Sequence, residues 1–164
     1  MATDTKPTLA PLPNVTTAAL AAGVVGGFVG SVLFGLIMQY VMPAPILEMA
    51  IPAMYGFSGP APAVGWAFHQ FHGVVLGVAF VVLVSAAGLD DHARTLGGAA
   101  SLGVGYGVLT TLLPVIVMPL WLQAVGFPGA PPFPNLAIPG TLVTLVGHVV
   151  YALPVALAYA LARD

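Results

Sequence analysis

Few residues of this chain could carry chemistry, and most of them sit where polar groups are costly. His69, Gln70, His72, Tyr106, Thr110, Thr111, His148 and Tyr151 lie inside otherwise apolar stretches. A polar side chain at membrane depth needs a partner, and it marks a candidate site. If the apolar stretches holding them begin near Ala63 and Gly140, His72 and His148 each lie about eight or nine residues in, or about 12–13 Å down a helix. His69 lies about one turn nearer the start of its helix, on the face of His72 by its i,i+3 spacing.

Three chemistries fit these histidines. Each can be neutral and hydrogen-bonded to a carbonyl or hydroxyl, tying helices together. Alternatively, His72 and His148 can ligate a b-type haem or a transition metal, with His69 adding a third metal ligand, since imidazole suits iron, copper and zinc. The third possibility is that they line, with Gln70 and Tyr106, a route for protons or a small solute. Met38, Met42, Met49, Met54 and Met118 fall toward one side of the apolar stretches and could with His69 suit Cu(I). Methionine is equally an ordinary gap-filler. Glu48 is either a solvated loop residue or a partner of His69. Asp90 and Asp91 read as the polar start of a helix rather than a metal pair.

Other chemistry is excluded by what is missing. The chain has no cysteine, so disulfides and thiolate nucleophiles are absent. Three Lys/Arg against five Asp/Glu give no basic footprint for nucleic acid. Walker A, GxSxG, HExxH and kinase glycine-loop motifs do not occur. The expectation is a non-enzymatic protein.

The elements that must position these residues follow from composition. Of 164 residues, 59% are hydrophobic and 5% charged, and mean hydropathy is +1.04. A soluble domain carries about a quarter charged residues. Crossing a bilayer takes about 20 apolar residues in helix, and stretches at about 17–41, 63–88, 96–118 and 140–161 qualify, each without Asp, Glu, Lys or Arg. They lack the alternation of a β-barrel. An all-α, polytopic membrane protein of four transmembrane helices is predicted, with a polar, flexible lead over 1–15. The first apolar run exceeds a signal-peptide core and reads as a retained span.

An offset of 76 residues aligns the two halves, 16–88 and 89–164. Val41-Met42-Pro43 falls on Val117-Met118-Pro119, Pro52 on Pro128, Phe57 on Phe133, and His72 on His148. The small-residue stripe Gly23, Gly27, Ser31 and Gly35 falls on Ala99, Gly103, Gly107 and Thr111. A duplicated two-helix unit is expected. Small residues at four-residue spacing permit close helix approach, so spans 1 and 3 are expected at the centre. Gly73 and Gly77 in span 2, and Ala152, Ala156 and Ala160 in span 4, offer similar faces. Pro114 and Pro154 should kink their helices and break the symmetry.

Lys6, Arg94 and Arg163 share one side of such a topology, which places the termini in the cytoplasm and the chain in the cell membrane. The opposite loops are apolar and Pro-rich, and should lie in the interface or fold back over the bundle, with Tyr55, Phe57, Trp66 and Trp121 at headgroup depth. Lipid and a protein partner or second copy are the expected neighbours.

The tract Ile51-Pro-Ala-Met-Tyr-Gly-Phe-Ser-Gly-Pro60, followed by Gly65-Trp-Ala-Phe-His-Gln-Phe-His72, resembles small four-span membrane proteins of halophilic archaea. The resemblance covers nearly the whole chain and implies the four-span fold. It implies no activity, so no residue role is carried over. The leading functional expectation is an accessory or interaction component whose Pro/Met-rich loops meet a partner. A haem- or metal-binding protein and an oligomeric conduit are the alternatives.

Overall fold

A computed structural model describes residues 15–42 and 45–162. The lead over 1–14, Lys6, Pro43 and Arg163 lie outside the described residues. The chain is all-helical, with four helices long and apolar enough to span a membrane. The first is α1 (Thr17–Tyr40). A π-helical turn (Ile46–Ala50) runs into the short α2 (Ile51–Met54). The second span is α3 (Pro62–Ala86), followed by the one-turn α4 (Asp90–Ala93). The third span, Leu96–Ala124, comprises α5 (Leu96–Thr110), a π-helical turn (Leu113–Val117) and α6 (Met118–Ala124). The fourth is α7 (Gly140–Leu161).

Two helix starts are fixed by threonine caps. Thr16 Oγ1 accepts from the Ala19 amide at 3.1 Å, and Thr95 Oγ1 accepts from the Gly98 amide at 3.0 Å. Each cap satisfies a first-turn donor that has no intrahelical partner. Proline shapes the other end of the bundle. Pro52 and Pro119 have no N–H, so the carbonyls four residues earlier, Glu48 and Val115, lose their helical donors. The chain supplies substitutes from the loops: Ala61 N–H reaches the Glu48 carbonyl at 2.8 Å, and Asn135 N–H the Val115 carbonyl at 3.0 Å. Both loops are thereby pinned back over the bundle.

Packing inverts the pattern of a soluble protein. The helix seams are built of small residues, with Ala19, Ala99, Ala152 and Ser31 fully buried beside Phe80 and Tyr159. Large apolar side chains such as Val25, Phe28, Leu109 and Val146 point outward. Only 28–44% of each apolar window is buried within the chain, so most of each span needs a non-aqueous neighbour. Lipid contact follows.

The spatial order of the spans is α3, α1, α7, then α5, with α1 and α7 at the centre. This corrects the expectation that spans 1 and 3 would meet there. The reason is a second small face on α1. Gly23, Gly27 and Ser31 press on Gly73 and Gly77 of α3, while Gly26 and Gly30, about a third of a turn away, press on Pro154, Val155 and Tyr151 of α7. A Cβ on Gly26 would come within 2.6 Å of the Val155 Cα. On the far side, Gly103 and Gly107 receive Ala152, Ala156 and Val149 of α7. The hairpin contacts repeat at the 76-residue offset: Ser31 meets Gly73 as Gly107 meets Val149, and Gly27 meets Gly77 as Gly103 meets Leu153.

At the α4 end, Tyr159 O–H and Ser85 O–H both donate to Asp90 Oδ1, at 2.7 and 3.0 Å. Asp90 starts α4, as the sequence suggested, and its carboxylate also joins α7 to the turn. Pro114 coincides with the π turn of the third span, and helix continues past the expected end at 118 to Ala124. Through Pro154, α7 continues without interruption.

Because Gly30 lies against the Tyr151 backbone, Gly30→Val is expected to lower stability by about 1–3 kcal/mol, the cost typical of overpacking. Gly105, which has open space around it, should accept valine within about 0.5 kcal/mol. Thermal unfolding of the two variants in detergent compares them directly.

Candidate functional site

Three of the four spans lean together around one cavity of about 270 Å³, and the third span completes its wall. Tyr106 of α5 reaches Leu76, a residue of the cavity wall. Its hydroxyl donates to the Leu76 carbonyl at 2.7 Å, and its ring meets Phe80 edge-on at 5.2 Å. Toward one end α2 folds across, with Ile51 and Met54 in the wall. Tyr55 stacks flat on Phe68 at 3.7 Å and lies 5.7 Å from the Trp121 ring. Phe71, Val75, Val117 and Trp121 form an exposed rim. Between α3 and the third span, therefore, the cavity opens toward the lipid-facing surface.

All three candidate histidines line this cavity. From α3, His69 Nε2–H donates to the Ser31 carbonyl on α1 at 2.9 Å. Gly35 makes that approach possible, since a Cβ there would run into the Trp66 ring and crowd His69. His148 Nδ1–H donates to the Thr144 carbonyl of its own helix at 2.8 Å. Phe34 stands between the two imidazoles, its centroid 5.7 Å from His69 and 4.7 Å from His148, and it rests in the space left by Gly147. His72 is the most accessible of the three and pairs through Nε2 with the Tyr55 hydroxyl. The tautomers follow from the bonds: a ring whose one N–H meets a carbonyl keeps a lone pair on its other nitrogen. Nδ1 of His148 is anchored to its own backbone, so Nε2 is the atom left to accept.

The sequence-predicted polar set is only partly brought together. Tyr151 joins it, its O–H donating across the bundle to the Gly73 carbonyl at 2.8 Å. Thr110 and Thr111 turn back on the carbonyls of Tyr106 and Gly107 and serve their own helix. Gln70 reaches the Phe28 carbonyl at 3.4 Å on the outer side of α3. Met38, Met42, Met54 and Met118 line the cavity, whereas Met49 does not. Among the described residues, no group of three or more His, Asp or Glu side chains is placed to hold a metal ion. Glu48 does not meet His69. It accepts from Gln39 Nε2 at 3.5 Å, and Gln39 Oε1 accepts from Trp66 Nε1–H at 3.3 Å. Gln39 was overlooked in the sequence, although a lone amide four residues beyond Gly35 near a span end was a readable signal.

Searches of protein families, curated proteins and solved structures return no match to this chain.

The Tyr151 bond to Gly73 joins helices from the two halves of the chain. Tyr151→Phe removes only the hydroxyl, and a membrane interhelical hydrogen bond is worth about 0.6 kcal/mol and at most about 1.7. A loss within that range, measured by reversible unfolding in mixed micelles, is expected; a larger one would mean that the ring had shifted as well.

Proposed function

We propose that this protein is a non-enzymatic, multi-pass component of the cell membrane that takes up a lipid-soluble molecule from the bilayer into the cavity between α3 and the third span. The carrying observation is the cavity itself: apolar, crossed by α2 at one end, and rimmed by exposed Phe71, Val75 and Val117 facing the hydrocarbon. Ligand sites of this kind are concave and mostly apolar, with a few polar groups that fix orientation. Here the polar groups are the imidazoles and Thr144.

This reading is preferred to a haem held by His72 and His148 on geometric grounds. Nε2 of His72 is turned to Tyr55, and the Phe34 ring lies 4.7 Å from that of His148 in an edge contact. A Soret band lost in both His72→Ala and His148→Ala would reverse that preference. An accessory role, with a protein partner or a second copy, is the second reading. It is supported by Phe133, Leu136 and Ile138, which stay exposed in the segment after α6.

Two further elements of the reading rest on the sequence. Lys6, Arg94 and Arg163 favour cytoplasmic termini, and the repeated hairpin register favours descent from a duplicated two-helix unit. Reporter fusions at the two ends should both report the cytoplasm.

Mass spectrometry of lipid extracts from the purified protein tests the cavity. A neutral apolar molecule should co-purify with the native chain, and Val117→Trp, which places a large ring in the rim, should reduce its yield about tenfold or more. Equal recovery from both proteins, or none from the native one, would remove this function.

A further inference from the structure

The hydrogen-bond inventory of the cavity wall identifies the head group that it can hold. In the depth of the cavity most donors are spent, while Trp121 on the rim has no partner for its indole N–H among the described residues. Ser31 O–H goes to the Phe28 carbonyl at 2.9 Å, Tyr151 O–H to Gly73, His69 N–H to Ser31 and His148 N–H to Thr144. His69 Nδ1 keeps a lone pair in the wall, and on one turn of α7 two further groups are left over. His148 Nε2 keeps a lone pair and can only accept. Thr144, one turn away on the same face and also lining the cavity, has a hydroxyl with no hydrogen bond in the described chain, able to donate or accept. Both residues are mostly buried, at 7% and 9% exposure, so water is a poor substitute partner.

We propose that the occupant is a membrane-soluble molecule headed by a hydroxyl group, the chemistry shared by isoprenoid alcohols and quinols. The hydroxyl donates to His148 Nε2 and accepts from Thr144 Oγ1, while the apolar tail leaves past Val117 and Phe71 into the bilayer. One O–H satisfies both of these α7 groups. A carbonyl or ether oxygen can accept from Thr144 but leaves His148 unanswered, so it is the weaker ligand. No charged side chain lines the cavity, which disfavours phosphate- or carboxylate-headed lipids. The inference rests on the cavity-binding function above and adds the identity of its head group.

Matched probes test it on the full-length protein in detergent. Farnesol and farnesyl methyl ether differ by the donor alone, as do decylubiquinol and decylubiquinone by their donors. By titration calorimetry each hydroxyl compound should bind about five- to tenfold more tightly than its partner, the worth of one hydrogen bond. His148→Phe should bring the hydroxyl compounds down to the affinity of their partners while leaving the ether unchanged, and His148→Gln, which restores an acceptor, should recover part of the difference. Thr144→Val, nearly isosteric, should weaken all four probes and provides the reading if His148→Phe does not fold. Tighter binding of farnesol than of decylubiquinol assigns an isoprenoid alcohol; the reverse assigns a quinol. Equal affinity within both pairs, or a preference that survives in His148→Phe, overturns the head-group assignment and leaves the cavity function standing. Failure of all four probes to bind removes the cavity function itself.

Discussion

A hydrocarbon surround offers nothing to a hydrogen bond, so every polar atom in the spans must find its partner within the chain or in a guest. That demand organises the molecule. Tyr106 and Tyr151 reach across to carbonyls of α3. His69 does the same for α1, and threonines on α5 bend back on their own turn. Even the loops obey it: Ala61 and Asn135 donate to the carbonyls that Pro52 and Pro119 leave without donors. Among the described residues the pairing stops short at Gln70 Oε1, which is buried without a partner, and at the wall of the cavity.

Close backbone approach is the second organising force, because lipid gives apolar helices no hydrophobic reason to associate. The helix seams accordingly hold glycine, alanine and serine, with Tyr159, Phe80 and Tyr151 also buried, while many bulky residues face outward. Helix α1 serves two neighbours at once, through Gly23 and Gly27 on one side and Gly26 and Gly30 on the other. If the two hairpins descend from one, equal contact would be expected between α1 and α7 and between α5 and α3. The first pair is intimate and the second is joined mainly by the Tyr106 side chain, with the cavity in the difference.

Much of this architecture was legible in the sequence. Charge-free runs gave four spans with ends close to those observed, because the absence of Asp, Glu, Lys and Arg over a bilayer's thickness admits few other structures. The arrangement of the spans was not legible. The stripe at Gly23, Gly27 and Ser31 signalled close packing without naming its partner, and Gly26 and Gly30 went unread beside it. The histidines were legible as candidates, while their bonding was not. Whether His148 turns to its own helix and His69 to a neighbour depends on inter-helix register, which composition does not encode. Pro114 marked a distortion in the third span, yet only the structure shows helix resuming to Ala124.

The uneven sharing of glycine faces also sets how freely each span can drift in evolution. In α1, 44% of the apolar window is enclosed by the rest of the chain, against 28% for the third span. Substitutions along α1 are therefore filtered by two neighbours. Those on the outer surface of Leu96–Ala124 answer only to the requirement of staying greasy. Descendants of this sequence should keep the two glycine faces of α1, while the outward positions of the third span wander among Leu, Val, Ile and Phe.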